Sequence, residues 1–293
     1  MPLDFPRLLA AAITACAVLA TACGAVDDAP DTGATDTPRA IVSLSPVNTE
    51  LLYAVGAGDQ VIAVDDQSDY PPGVPVTGLS GYTPNVEAIL GYEPDLVVAN
   101  ADTADLVAGL QQAGVETLIL PAATTLDDTY AQIEQVGAAT GHVADAAELV
   151  AQMRTEVDEI VAGLPEHEVP LRYYHELDDT FYTVTDDTYI GEIFSMLGLT
   201  SIATGDIGYP QLSPEFILEE NPDIVFLADG QCCGVTPETV AQRAGWNELT
   251  AVRDGNVYVL DEDIASRWGP RVVDLMREVA GIVAQIPAAQ TAP

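Results

Sequence analysis

No lysine occurs anywhere in the 293 residues; nine arginines are the only basic residues, set against 46 acids. A formal net charge of −37 leaves no cationic face for phosphate neutralisation, which excludes nucleic acid as a partner. The acids are scattered through both halves rather than gathered in one tail, a distribution expected of a surface kept soluble by carboxylates in salty surroundings. Histidine is scarce too. Three residues without metal-ligand spacing argue against a His-rich zinc or manganese receptor, and neither a metal nor a cofactor is expected. The chain lacks a G-x-S-x-G elbow, a phosphate-binding P-loop, a G-x-G-x-x-G after a strand, and any His and Cys at nucleophile spacing, so no enzyme is expected.

A comfortable membrane-spanning run is also missing. Residues 8–22, LLAAAITACAVLATA, are apolar but short, follow Arg7, and end in small residues before Cys23. This pattern predicts an export signal over residues 1–22. Its A-T-A-C ending resembles the bacterial lipobox, with Ala20 where leucine is preferred, which implies lipidation at Cys23; a plain cleavable signal with a secreted product is the alternative. Residues 23–38 hold Val26 as their only large apolar residue and are rich in Asp, Thr, Gly and Pro, the composition of a disordered tether. Removing the signal removes Cys16, and lipid on Cys23 would leave Cys232 and Cys233 as the remaining thiols.

From Arg39 onward, short apolar runs alternate with helical periodicity. AIVSLS, QVIAV, DLVVA and VETLIL read as buried parallel strands, with helices opened by Ser45-Pro46 and Asn85 and closed by Gly56 or Gly91. LRYYHE, FYTV, LTSIA, DIVFLA and NVYVL form a second set. Between the sets Val143, Ala146, Ala147, Val150, Met153, Val157, Ile160, Val161 and Leu164 recur every three or four positions, predicting one uninterrupted helix. The expected fold is α/β: two doubly wound parallel-sheet lobes, residues 39–141 and 165–293, joined by one long helix over 142–164.

One sentence is written twice. NVEAILGYEPDLVVAN at 85–100 returns as SPEFILEENPDIVFLA at 213–228, keeping Glu87/Glu215, Ile89/Ile217, Leu90/Leu218, Pro94/Pro222, Asp95/Asp223 and Val97/Val225 in register. Duplicated lobes would produce this, and so would a generic helix-Pro-Asp route into a parallel strand.

The ordered set RAIVSLSPVNTELLYAVGAGDQVIAV, SDYPP, YTPNVEAILGYEPDLVVA, YPQLSPEFILEENPDIVFLA and GNVYVLDEDIASRWGPRVVDLM resembles the substrate-binding lipoproteins of ABC importers for cobalamin, ferric siderophores and haem. The resemblance runs from Arg39 to about Val283. It implies a two-lobed receptor with a single helical bridge and limited closure on its ligand. It further implies anchoring on the outer face of the cytoplasmic membrane, ABC permease subunits as partners, and a monomer. Glu87 and Glu215 match the family's acids that meet arginines of the permease; capping of a helix dipole, at roughly 0.3 to 1 kcal/mol, is the local alternative for either one. Tyr209 matches an aromatic of the cobalamin binders. A lipid-anchored haem store or sensor without an importer is the alternative function.

Ligand-binding candidates sit in loops following the strands, where α/β sheets gather ligands. They are Tyr70 in SDYPP, Tyr82, Tyr209, and Arg267 with Trp268 in SRWGPR. Aromatic faces suit flat macrocycles, and core packing competes for each of them. Arg267 suits an anionic ligand or an ion pair with Asp261 or Asp263; Arg271 is expected to start the last helix in an ion pair. His175 offers a haem-iron ligand or a hydrogen-bonded structural group. In GQCCGV, adjacent Cα atoms about 3.8 Å apart would force a Cys232–Cys233 bridge into a tight turn. Two free buried thiols or an odd loop pair are the alternatives.

Overall fold

The computed structural model describes residues 37–205 and 208–286. The expected export signal, the Cys23 anchor and nearly all of the tether lie outside the described residues. No helix among the described residues is long and apolar enough to cross a membrane.

Two all-parallel sheets organise the chain. The first contains β1 (Ile41–Ser43), β2 (Val61–Asp65), β3 (Val76–Leu79), β4 (Leu96–Ala99) and β5 (Glu116–Ile119) in the order β3-β2-β1-β4-β5. The second contains β6 (Leu171–Glu176), β7 (Leu199–Ser201), β8 (Ile224–Leu227) and β9 (Val257–Val259) in the order β7-β6-β8-β9. Apart from the edge strand β3 the two orders are the same, with the topological switch between β1 and β4 in one lobe and between β6 and β8 in the other. β3 escapes the sequence pattern because it is an edge strand that is mostly open to solvent and contains Gly78. FYTV is a correction: residues 181–184 form no strand, only a single antiparallel bridge from Tyr182 to Gln211, because Phe181 takes a φ of +68° and turns the chain.

The N-terminal helices are α1 (Pro46–Ala54), α2 (Val86–Leu90) and α3 (Leu106–Gln112). Next come α4 (Leu126–Thr140) and the long α5 (Val143–Ala162), then α6 (Tyr189–Met196) and α7 (Pro214–Glu220). Four short helices follow, α8 (Gly230–Cys233), α9 (Pro237–Ala241), α10 (Thr250–Asp254) and α11 (Glu262–Ala265), and α12 (Val272–Val283) closes the described chain. α5 joins the lobes as one helix, but it does not lie alone. α4 folds back against it through a turn at Gly141, whose φ of +82° favours glycine, and Gly137 gives the pair close contact because a Cβ there would sit 2.4 Å from that of Ala146. The buried stripe of α5 is therefore narrow: Ala146, Val150, Met153 and Val157 are covered, whereas Val143, Ala147 and Val161 face solvent.

The repeated sentence has a physical counterpart. Asn85 and Ser213 each cap their helix by accepting from the backbone N–H three residues on, at 3.0 and 3.2 Å. The carboxylates of Asp95 and Asp223 then each receive the backbone N–H at the start of the neighbouring strand, Ala40 at 3.1 Å and Arg172 at 2.8 Å, while their own amides donate back to the same residues at 2.8 Å. Between helix and strand both copies place one residue in left-handed backbone immediately before the proline, Glu93 at φ +54° and Asn221 at φ +44°. Ile89, Ile217, Val97 and Val225 are fully buried.

Three cores result. One continuous cluster joins α1, α4 and α5 to the inner face of the second sheet, from Leu51 and Ile133 through Met153 to Phe194, Phe226 and Met276. Separate clusters cover the outer faces, around Leu106 and Leu110 in one lobe and around Trp246 and Ile217 in the other. Ile89→Ala and Ile217→Ala should each cost about 2 to 5 kcal/mol of unfolding free energy in a denaturant titration. Val143→Ala on the exposed face should stay within about 0.5 kcal/mol.

Candidate functional site

Every loop of interest leaves the carboxyl end of a parallel strand. β1 runs into α1, whose N1 residue is Pro46; β2 runs into the Ser68–Gly73 loop; β9 runs into α11 and the SRWGPR stretch. α1 carries an acid that sequence reasoning missed. Glu50 is 4% exposed and receives Arg271 Nε at 2.9 Å and Nη2 at 2.6 Å, together with Arg267 Nη1 at 3.1 Å. One carboxylate from the first lobe thus holds two guanidiniums from the second. Arg267 also pairs with Asp263 at 2.5 Å and approaches Asp69 at 3.6 Å, and the Arg271 guanidinium lies 4.0 Å from the centre of the Tyr70 ring. Gly269 lets the loop wrap this closely, since a Cβ there would meet Glu50 Oε2 at 3.2 Å.

Glu50, Tyr53, Tyr70, Pro71, Arg271 and Asp274 line a cavity of about 340 Å³ whose walls come from both lobes. Tyr70, Arg267 and Arg271 therefore converge. Asp263 is the ion-pair partner of Arg267, and Arg271 precedes α12 as its N-cap residue. Trp268, between the two arginines, packs half-buried against the continuous core; its carbonyl accepts from Thr129 Oγ1 at 3.0 Å and its indole N–H has no partner among the described residues.

Tyr82 and Tyr209 lie apart from that cluster, one on each lobe. Tyr82 is 82% exposed and lines a second cavity of about 270 Å³ with Ser45, Asp65, Gln67, Gly81 and Asn100, at the strand-order switch of the first sheet. Gly81 cannot carry a side chain, because a Cβ would sit 2.1 Å from the Leu44 carbonyl oxygen. Tyr209 is 52% exposed, just ahead of α7, and partial burial raises its phenol. Glu87 and Glu215 occupy the first turns of α2 and α7, and both are exposed.

A buried charged group closes the carboxyl edge of the second sheet. Glu176, fully buried at the end of β6, accepts both Arg243 amino groups at 2.6 Å, and that guanidinium stacks 4.6 Å from the Trp246 ring centre. Asp229, two residues past β8, is also fully buried, and neither of its oxygens has a partner among the described residues. Desolvation and the neighbouring Glu176 carboxylate push its carboxyl up to about 7. Acids at the ends of buried parallel strands were the sequence signal for this group, in LRYYHE and FLAD.

His175 is a correction to the haem-ligand option. It lies within β6, is 0% exposed, packs edge-on to Phe194 at 5.4 Å, and burial lowers its ring to about 4. Neither ring nitrogen has a hydrogen-bond partner among the described residues. Cys232 and Cys233 are bonded to each other in α8, exposed rather than buried, with the amides of Gln231 and Cys232 donating to Glu262. Among the described residues no group of three or more His, Cys, Asp or Glu side chains could hold a metal ion.

The periplasmic binding protein model matches residues 41–264, a span that covers both sheets and the helix between them. The chain belongs to the periplasmic binding protein family. It is 32% identical over 266 residues to the uncharacterized ABC transporter substrate-binding lipoprotein YvrC of Bacillus subtilis, covering 87% of this chain and 83% of YvrC. A cobalamin-binding protein of Halobacterium salinarum is 32% identical over 256 residues, covering 83% of this chain and 69% of that one. The crystal structure of the periplasmic vitamin B12 binding protein of Vibrio cholerae superimposes with a TM-score of 0.68 at 28% identity, covering 84% and 97% of the two chains. The first of these relatives is named as a substrate-binding component of an ABC transporter, the other two as binding proteins.

Asp229 gives this binding protein a pH dependence. Its folded-state value lies above the ordinary 3.8, so folding takes up a proton in between; the group's contribution is fully present below about pH 4 and is lost as pH rises through about 7. Asp229→Asn should therefore gain stability relative to the native chain as pH increases from about 4 to 8. Urea unfolding across that range checks it, and parallel profiles would contradict the assignment.

Proposed function

We propose that this chain is an extracytoplasmic solute-binding lipoprotein, anchored through Cys23, that captures a corrinoid or an iron chelate between its lobes and delivers it to an ABC permease. The observation that carries this reading is the matched pair of helices α2 and α7. Each is preceded by a solvent-exposed tyrosine, Tyr82 or Tyr209, and each presents an exposed glutamate in its first turn, Glu87 or Glu215.

Exposed aromatic faces on two opposed lobes suit a flat, largely apolar ligand that both sides cover. The cavity of about 340 Å³ beside Glu50 takes a peripheral group of such a ligand, past Tyr70. The paired glutamates serve a different surface. Each exposed ion pair with a permease arginine contributes only about 0 to 1 kcal/mol, but two of them held at a fixed spacing set orientation and encounter rate. Sequence relatives named for cobalamin and vitamin B12 binding support the corrinoid side of the reading.

The Glu87→Ala/Glu215→Ala double variant should abolish permease-dependent uptake while its ligand affinity stays at the native value, and either single variant should lose part of the uptake. Loss of affinity in the double variant would place these acids at the ligand instead. Tryptophan quenching with cobalamin, ferric siderophores and haem identifies the cargo. Trp268→Phe should remove most of that quench, since Trp246 is sealed in the core of the second lobe.

A further inference from the structure

We infer that Glu50 sets the charge class of the cargo: by neutralising Arg267 and Arg271 it makes the inter-lobe site select uncharged or cationic ligands and reject anionic chelates. The inference rests on the capture reading above and narrows it. Two arginines in a ligand-side loop of a chain with nine cations would ordinarily mark an anion site. Here both guanidiniums are already used. Arg271 spends two N–H groups on the Glu50 carboxylate and its face on Tyr70, and Arg267 divides its amino groups between Glu50 and Asp263, with Asp69 beyond.

The local count is two cations, Arg267 and Arg271, against three carboxylates, Glu50, Asp69 and Asp263; Asp274 on the cavity wall is balanced by its own ion pair with Arg277 at 2.7 Å. The Glu50 side chain is 3% exposed and the two arginine side chains 15% and 16%, so water screens these three charges weakly. An incoming propionate or catecholate would have to break bonds to a carboxylate that cannot leave the site, and would meet surplus negative charge from Asp69 and Asp263. A neutral corrinoid or a cationic ferric hydroxamate meets neither obstacle.

The test measures affinity for four probes: cyanocobalamin and a cationic ferric hydroxamate, against haemin and a ferric tris-catecholate. The native protein should bind at least one of the first two, and both anionic probes at least about tenfold more weakly. Glu50→Gln should raise anionic-probe affinity by about tenfold and make it fall with added salt, while Glu50→Asp, which keeps the charge, should restore the native preference. If Glu50→Gln does not fold, Asp263→Asn with Asp69→Asn, on more exposed partners, should shift the preference the same way. Tighter native binding of an anionic probe, or a Glu50→Gln preference equal to the native one, would overturn the inference and leave the capture reading intact. Failure of all four probes to bind the native protein would overturn both.

Discussion

The two lobes share a core. Apolar side chains run without a break from α1 and the inner face of the first sheet, through α4 and α5, to Phe194, Phe226 and α12 on the inner face of the second sheet. Close-packed interiors resist continuous deformation, so a wide hinge opening would expose part of this cluster at a cost of roughly 25 cal/mol for each Å² of apolar surface. The α4–α5 hairpin is therefore better described as a spine than a tether.

Function follows from that stiffness. The groups proposed to meet ligand and partner sit on loops and first turns at the carboxyl edges of the two sheets, with the spine between them. The Glu50 ion cluster adds a polar fastening between the lobes on the same side. Partly buried as it is, it contributes specificity of arrangement more than net stability, since desolvating charges offsets much of their attraction.

Much of the fold was legible in the sequence because its signals are local. Parallel strands buried on both faces read as short apolar runs, and Ser45-Pro46 and Asn85 mark helix starts by their own chemistry. The duplicated Glu-to-Val sentence pointed to two lobes of one topology. Its Asp95 and Asp223 turn out to lock neighbouring strands by the same reciprocal pair of backbone bonds. The left-handed residues Glu93 and Asn221 share that place without sharing identity, so comparing letters could not find them.

The site was less legible. Tyr70 and Arg267 were recognised as loop residues and Arg271 as the start of the last helix, but the acid that the two arginines share lies 217 and 221 positions away in α1, and no local pattern announces it. The same holds for Arg243 reaching Glu176 across 67 positions. LRYYHE coincides with β6, but the strand pattern alone did not show that His175 points inward, fully buried against Phe194.

The shared core has a final consequence for how the molecule divides. Cut apart in the turn between α4 and α5, neither half would be a self-sufficient body, for each would present to water the apolar face that its counterpart now covers. Those bare faces would clump with others of their kind. The chain has two sheets, yet with respect to cooperative unfolding it is one unit.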